Sequence, residues 1–387
     1  MTFDLTAELP AYQPGGGAAA ALQARLLAHG QALIASRGGG DREEVARLEA
    51  RISADPEAIR FDDQGLAWID GERRPYAAGR FSTPSLDELR RLAAPKVRGR
   101  RSLRLFVVDG ASPVTDIGAL QANAAPGALF QVASQFNCLE SPGAFITPVA
   151  SYFHDPTQGP RASISAFPGT LVRHYAAPRR DGSRFVQRRD GRQIELLAGV
   201  ATAELATVRS GYLRAGDVIA PEGFARALEE RFGHLRVGLH DEVEVPLGYD
   251  WDGAVEGRPR IAQVFTSTIA GGMYGGLGDG DATTTICRRL LRGAYLGTLL
   301  AAAALGKRCA VLTLVGGGVF GNPVPLIWEA IQWALAEVAP LLHEELAVIV
   351  NGRNLGREVA AAELLGAVRE RSGALLRFDG DGVTVES

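Results

Sequence analysis

A continuous apolar run, residues 309–315, passes without a break into Gly316-Gly317-Gly318-Val319-Phe320-Gly321-Asn322 and then into a helical pattern that opens on Pro323. No other stretch constrains the fold as strongly. A short apolar run bounded by turn residues predicts a strand buried on both faces, and such strands belong to parallel sheets covered by helices. Proline suits the first helical turn, where its missing N–H is not needed. Glycines let the backbone come close to a ligand, and the start of a helix adds partial positive charge. Together they suit a phosphate or a diphosphate. A glycine-rich turn with no ligand is the competing account of the same residues. The loop matches neither G-x-x-x-x-G-K-[ST] nor G-x-G-x-x-G, which disfavours a P-loop ATPase and a Rossmann dehydrogenase.

The same alternation extends in both directions. Strands are predicted at 103–108, 129–134, 237–245, 262–269 and 346–350, and helices at 203–211, 224–232, 283–305, 323–338 and 359–371. The fold class expected is α/β: a layered, mixed sheet with helices on both faces and an N-terminal helical extension. Three segments are expected. Residues 1–56 form a helical hairpin behind a flexible lead-in around Pro10, Pro14 and Gly15 to Gly17. Its first helix turns Leu22, Leu26, Leu27, Leu33 and Ile34 to one face, and its second opens on Asp41 with Glu44 as capping-box partner. Residues 57–102 hold a β-hairpin, turning at 63–65 or 70–71, and a helix started by Thr83-Pro84. Residues 103–387 form the main domain.

Hydrophobic residues are 46% of the 387, enough for a large core. Basic and acidic residues nearly cancel, 41 against 44, so no polybasic field exists to hold nucleic acid or an anionic membrane. Three separated cysteines imply no disulfide framework, and the scattered histidines imply no structural zinc. The run at 295–305 falls short of the roughly 20 apolar residues that span a bilayer. No leader pattern opens the chain, so a cytoplasmic location is expected, with a secreted effector role left open.

Three further segments offer chemistry. Gln135, Asn137 and Glu140 follow an apolar strand, and side-chain amides both donate to and accept from ribose hydroxyls or a base edge. Tyr152-Phe153-His154-Asp155-Pro156-Thr157-Gln158-Gly159-Pro160 places a carboxylate, an imidazole, a hydroxyl and an amide in a proline-stiffened loop. Asp155 there serves either as a base or as a turn cap. A second glycine cluster, including Gly275 and Gly276, follows the 262–269 strand. It would grip a diphosphate from the other side, with Asp279 and Asp281 capping the next helix. His240, inside an apolar strand pattern, reads as a bonded core residue. Cys138 lacks a nucleophile signature.

The run from Val311 through Pro323 resembles the second phosphate loop of macrodomains. With Gly79-Arg80-Phe81-Ser82-Thr83-Pro84-Ser85-Leu86, the Gln131 to Glu140 stretch, Thr157-Gln158-Gly159-Pro160 and the block from Gln263, it resembles a divergent macrodomain-like family from about residue 79 onward. The resemblance implies ADP-ribose, or a protein carrying it, as the partner, with no nucleic acid and no membrane. No cofactor is implied, and a divalent cation is left open. Gly316, Gly317, Gly318, Val319, Phe320, Gly321 and Asn322 would bind ligand, with Gln135, Thr157, Gln158, Gly275 and Gly276. Asn137 would bond the distal ribose, and Asp155 and Glu140 would activate or orient water. The implied activity is hydrolysis of an ADP-ribosyl bond through an oxocarbenium-like transition state. The alternatives are a non-catalytic ADP-ribose-binding module or another nucleotide or sugar-phosphate hydrolase. A carboxylate beside a diphosphate is expected to have a raised pKa, because like charges disfavour ionisation.

Overall fold

The computed structural model describes residues 3–387 except Gly16, Asp63, Gln64, 95–101, Arg180, Gly278, Asp279 and Asp381. The expected turn residue Asp63 and cap Asp279, and Gly16 of the lead-in, lie outside the described residues. The chain opens with α1 (Leu5–Ala11), α2 (Ala18–Ala35) and α3 (Arg42–Ala54), followed by β1 (Ile59–Phe61), β2 (Leu66–Ile69), β3 (Tyr76–Ser82) and α4 (Leu86–Ala93). Next come β4 (Ser102–Asp109), α5 (Ile117–Ala122), β5 (Ala128–Ala133), α6 (Gln158–Ser165), α7 (Phe167–Tyr175), β6 (Ala177–Pro178) and β7 (Arg184–Phe185). The second half holds α8 (Pro221–Glu230), β8 (Gly238–Glu244), β9 (Arg260–Thr266), α9 (Asp281–Ala304), β10 (Cys309–Thr313) and α10 (Val324–Val338). It ends with β11 (Glu345–Asn351), α11 (Ala361–Glu370), β12 (Ala374–Asp379) and β13 (Gly382–Glu386).

One mixed sheet runs in the order β1-β2-β3-β8-β9-β5-β10-β11-β4-β12-β13. From β9 to β12 every pairing is parallel, and antiparallel strands flank that centre on both sides. Two buried glutamines show that helices cover both faces. Gln131 of β5 donates to the Ala294 carbonyl and the Thr298 hydroxyl of α9. Gln263 of β9 donates to the Ala162 carbonyl of α6. Gln131 pairs with Val264, the residue after Gln263. Successive side chains of a strand leave opposite faces, so α9 and α6 lie on opposite sides of the sheet.

Several elements depart from the sequence expectations. Residues 203–211 are not helical. Ser210 and Gly211 favour a turn, β-branched Val208 disfavours a helix, and the segment is closed by bridges of Ala206 to Val218 and Arg209 to Tyr212. Leu5 and Leu9, one turn apart, bury the unexpected α1. α6 and α7 occupy a stretch whose prolines suggested loop. Pro160 and Pro168 fall in first turns, where no N–H is required. The cap of α4 is Ser85, in a capping box with Glu88, instead of Thr83. Asp41 does cap α3, but Glu44 spends its carboxylate on the Tyr76 hydroxyl at 2.7 Å.

The N-terminal helices do not pack against each other as a hairpin. Leu22, Leu26 and Leu33 of α2 join the main core, while Leu27 and Ile34 stay 41% and 54% exposed. Val45, Leu48 and Ile52 of α3 join a separate cluster with Tyr76, Tyr152 and Phe167. Leu26→Ala and Leu48→Ala should each cost about 2–5 kcal/mol. Because the sites lie in different clusters, the double variant should equal their sum within about 0.5 kcal/mol in urea denaturation. A larger discrepancy would show the two helices to be coupled.

Candidate functional site

Register brings the ends of the central strands to one edge. Thr313 closes β10 beside Asn351 of β11, and Asn351 pairs with Val108 of β4. β5 ends at Ala133 beside Thr266. The segments leaving these ends enclose a cleft of about 530 Å³, within the ~300–1,000 Å³ typical of small-molecule sites. Two wider hollows, about 1120 and 1070 Å³, lie elsewhere. One sits between α4 and β7. The other lies at the starts of β4 and β11, the edge opposite to where parallel sheets bind ligands.

The loop after β10 lines the cleft from Thr313 to Phe320. Gly316 has φ 77, and a Cβ there would come 2.5 Å from Thr268 Cγ2, so only glycine fits. Val315 donates its N–H to the buried Tyr295 hydroxyl, while Gly317, Gly321 and Asn322 donate to carbonyls of the same loop. The N–H groups of Gly316, Gly318, Val319 and Phe320 have no protein acceptor among the described residues. Val324, which opens α10, lines the same wall. Unspent N–H groups on a glycine-rich loop that leads into a helix are of the kind that can receive an anion.

Asn322 does not reach the cleft. It is buried, accepting from the Thr268 hydroxyl at 2.9 Å and donating to the Ile269 carbonyl at 2.9 Å, so it locks the loop from behind. Gly321 also lies off the lining, its backbone packed on Gly272. The second glycine cluster backs the first: Gly271 N–H donates to the Phe320 carbonyl and Met273 N–H to that of Val319. Gly275 and Gly276 lie outside the lining, and only Tyr274 of that cluster reaches it.

Glu140, Asp155 and Glu358 bring carboxyl groups to the lining of this cleft, and the first two are the candidates named from the sequence. Glu140 is only 6% exposed. Its Oε1 lies 3.4 Å from the Ser163 hydroxyl of α6. A Cβ on Gly159 would come 2.3 Å from the Ala133 carbonyl and 2.8 Å from Glu140 Oε2, so the bare glycine makes room for the carboxyl. Burial holds Glu140 well above the ordinary carboxyl range; the Arg173 charge opposes this, and the Asp155 charge adds to it. Asp155 lines the cleft while its Oδ1 caps the Thr157 N–H at 2.9 Å. Thr157 and Gln158 line the wall as well, with Gln158 Oε1 accepting from Ile117 N–H.

Gln135 lines the cleft, but its amide is spent on a reciprocal pair with the Ser141 backbone. Asn137 is buried behind the wall. Its Nδ2 donates to Gln193 and its Oδ1 accepts from Leu139 N–H, so neither end is presented to a ribose. His240 is a core residue 3.1 Å from Arg173, as its strand position suggested. Burial pushes the Cys138 thiol far up, which leaves it unreactive.

Sequence reasoning named Phe320 but missed its aromatic partners and the cationic part of the lining. Tyr212, Tyr274 and Phe320 form a cluster with ring centroids 5.1–5.7 Å apart. Tyr212 directly follows the segment 203–211 that was read as a helix. Arg353 and Arg357 follow β11 at the other end of the cleft. Their signal was the run Asn351-Gly352-Arg353-Asn354-Leu355-Gly356-Arg357, another strand end flowing into glycine. Among the described residues no group of three or more His, Cys, Asp or Glu side chains is placed to hold a metal ion.

No protein-family model matches the chain, and no curated protein sequence matches it. Among solved structures it is similar to a poly(ADP-ribose) glycohydrolase from Thermomonospora curvata, at 15% identity and a TM-score of 0.41, over 85% of this chain and 98% of that one. The same enzyme bound to the inhibitor ADP-HPD aligns at 15% identity and a TM-score of 0.42, over 84% and 98%. A poly(ADP-ribose) glycohydrolase from Deinococcus radiodurans in complex with ADP-ribose aligns at 12% identity and a TM-score of 0.40, over 76% and 93%.

The raised Glu140 has a consequence for stability. A carboxyl whose folded pKa lies above its ordinary 4.5 binds its proton more tightly in the folded state. Its contribution is favourable below that pH and is lost as pH rises toward the folded value. Glu140→Gln should therefore raise Tm near neutral pH, by a margin that shrinks toward pH 4.5. A margin independent of pH, measured by thermal melts across that range, would contradict a buried, proton-retaining Glu140.

Proposed function

We propose that the protein binds ADP-ribose in this cleft and hydrolyses the bond between its distal ribose and a carrier protein. One observation carries the reading: the unspent N–H groups of the loop that leads into α10 and a buried carboxyl whose pKa burial raises line the same cavity. The first suits a diphosphate and the second suits acid–base work near neutral pH. The diphosphate sits along Gly316 to Phe320, and the distal ribose packs on Phe320 and Tyr212, between that loop and Glu140.

In the reaction, Glu140 gives its proton to the carrier oxygen as the bond to the anomeric carbon breaks. The resulting Glu140 carboxylate then takes a proton from the water that attacks that carbon. ADP-ribose and the free carrier hydroxyl or carboxyl leave, and Glu140 is again protonated. The Asp155 charge stabilises the positive charge that develops on the sugar. Phosphate recognition by the main chain requires no cofactor.

Free ADP-ribose should raise Tm, as a ligand of the native state must. Gly318 is the loop position for the control, because a Cβ there meets nothing within 4 Å and its φ is not left-handed. Gly318→Glu should keep Tm while weakening ADP-ribose binding by at least about tenfold, or ~1.4 kcal/mol. Glu140→Gln should lower release of ADP-ribose from a modified protein by about 100-fold or more, the scale of general acid–base catalysis, with affinity for ADP-ribose retained. Calorimetry that detects no ADP-ribose binding would end the proposal. Binding without release by the unaltered protein would leave a binding module.

A further inference from the structure

The turn that carries Glu140 is gripped from behind by two consecutive residues of α7. Arg173 is fully buried and donates Nε–H to the Cys138 carbonyl at 3.2 Å and an Nη2–H to the Thr170 hydroxyl at 2.9 Å. Its guanidinium lies 3.6 Å from the centre of the Phe265 ring. Cys138 has φ 62, a left-handed conformation uncommon for a residue with a side chain. A turn in that conformation persists only where its surroundings over-determine it.

The next residue, His174, acts through Tyr152. The Glu140 N–H donates to the Tyr152 hydroxyl at 2.8 Å, and that hydroxyl lies 2.7 Å from His174 Nε2. With its oxygen accepting from the backbone, the hydroxyl directs its own proton to Nε2, which must be bare. Burial, aided by the Arg173 charge, lowers His174 to about 3, so the imidazole is neutral and can accept. Tyr152 is itself fixed from the N-terminal region. Glu49 of α3 accepts from the N–H groups of Val149 and Ala150, at the head of the 3-10 turn Val149–His154 that bears Tyr152, and from the Tyr175 hydroxyl.

We propose that Tyr152, backed by His174, is a positioning residue for the hydrolysis, locking the Glu140 backbone so that the carboxyl stays on the cleft wall. This rests on the hydrolytic reading of the cleft. The relay Glu140 N–H, Tyr152 O–H, His174 Nε2 occupies the one backbone donor of the acid itself. Apart from the Ser163 hydroxyl at the Glu140 carboxyl, every other side-chain anchor of the turn acts one or more residues away: Gln135 on Ser141, Arg173 on Cys138, and Gln187 on the Asn137 carbonyl. Loss of the hydroxyl therefore frees Glu140 while the rest of the turn stays tied. α3 becomes part of the catalytic scaffold, since it sets the segment from which Tyr152 reaches Glu140.

Tyr152→Phe removes one oxygen and keeps the ring. Two measurements on the full-length protein test the idea. Amide hydrogen exchange should be faster at Glu140 in the variant, with strands β5 and β10 unchanged. In steady-state kinetics on a mono-ADP-ribosylated protein, kcat should fall on the order of 10- to 100-fold, the scale of a small misplacement of a catalytic group. KM and ADP-ribose affinity should hold. Because Tyr152 acts through Glu140, the same change made in a Glu140→Gln background should give no further loss. Unchanged exchange at Glu140, or an equal loss in both backgrounds, would overturn the proposal. If the unaltered protein releases no ADP-ribose, the hydrolytic reading fails, and exchange alone still decides whether Tyr152 holds Glu140. Should Tyr152→Phe not fold, His174→Phe removes the acceptor behind the hydroxyl and is judged on the same exchange at Glu140.

Discussion

A parallel sheet buries both of its faces, so polar chemistry can gather only where its strands run out. The centre of this sheet, from β9 to β12, is of that kind. The register that sets Thr313 beside Asn351, and Asn351 beside Val108, therefore decides where a ligand can sit. Four strands deliver their outgoing backbone to one edge. From β10 comes the glycine loop, from β5 the turn with Glu140, and from β11 the arginines Arg353 and Arg357. β4 contributes Ala111, just beyond its end.

The cleft combines two opposite solutions to the cost of burying polar groups. The glycine loop keeps several N–H groups unspent and half-exposed, where an anion or water can reach them. Glu140 is instead taken out of water, and burial raises its pKa, because an ionised carboxylate there would be poorly solvated. Around both, the protein spends its other polar groups on itself. Asn322 braces the loop, while Gln135 and Asn137 brace the turn. The amides that most resembled ligand contacts in the sequence are the framework that holds the contacts in place. Buried networks of this sort rigidify a site when every member is satisfied.

The second hydrophobic cluster gives this framework its outer support. α3 packs there with Tyr76, Tyr152, Phe167 and Leu171, away from the main core. Its one buried carboxylate, Glu49, is directed at the head of the Val149–His154 turn. The N-terminal helices thus divide their labour: α2 thickens the main core beside β13, and α3 stiffens the back of the cleft.

Whereas β12 and β13 were not read, strand and helix positions between residues 221 and 371 were legible in the sequence because most are strongly apolar and punctuated by glycine or proline. The same is true of the loop at 316–320 and of Glu140 and Asp155, whose residue types admit few other uses after a buried strand. What stayed hidden were the elements that break local rules. α6 and α7 carry prolines in their first turns, 203–211 forms turns and bridges in place of the expected helix, and Cys138 adopts a left-handed conformation. The partners of each polar group were hidden as well. A side-chain amide that bonds a ribose and one that bonds a neighbouring backbone look identical in one dimension. So do a tyrosine in a core and a tyrosine that holds a carboxyl in register. The sequence alone determined that this chain builds a buried sheet ending in an anion-ready loop, since apolar periodicity and glycine placement are local properties. Only the tertiary structure decided which polar residues face the cleft and which are consumed behind it. That choice depends on strand register and on side chains as distant as Glu49 and Tyr152, brought together by packing and not by spacing.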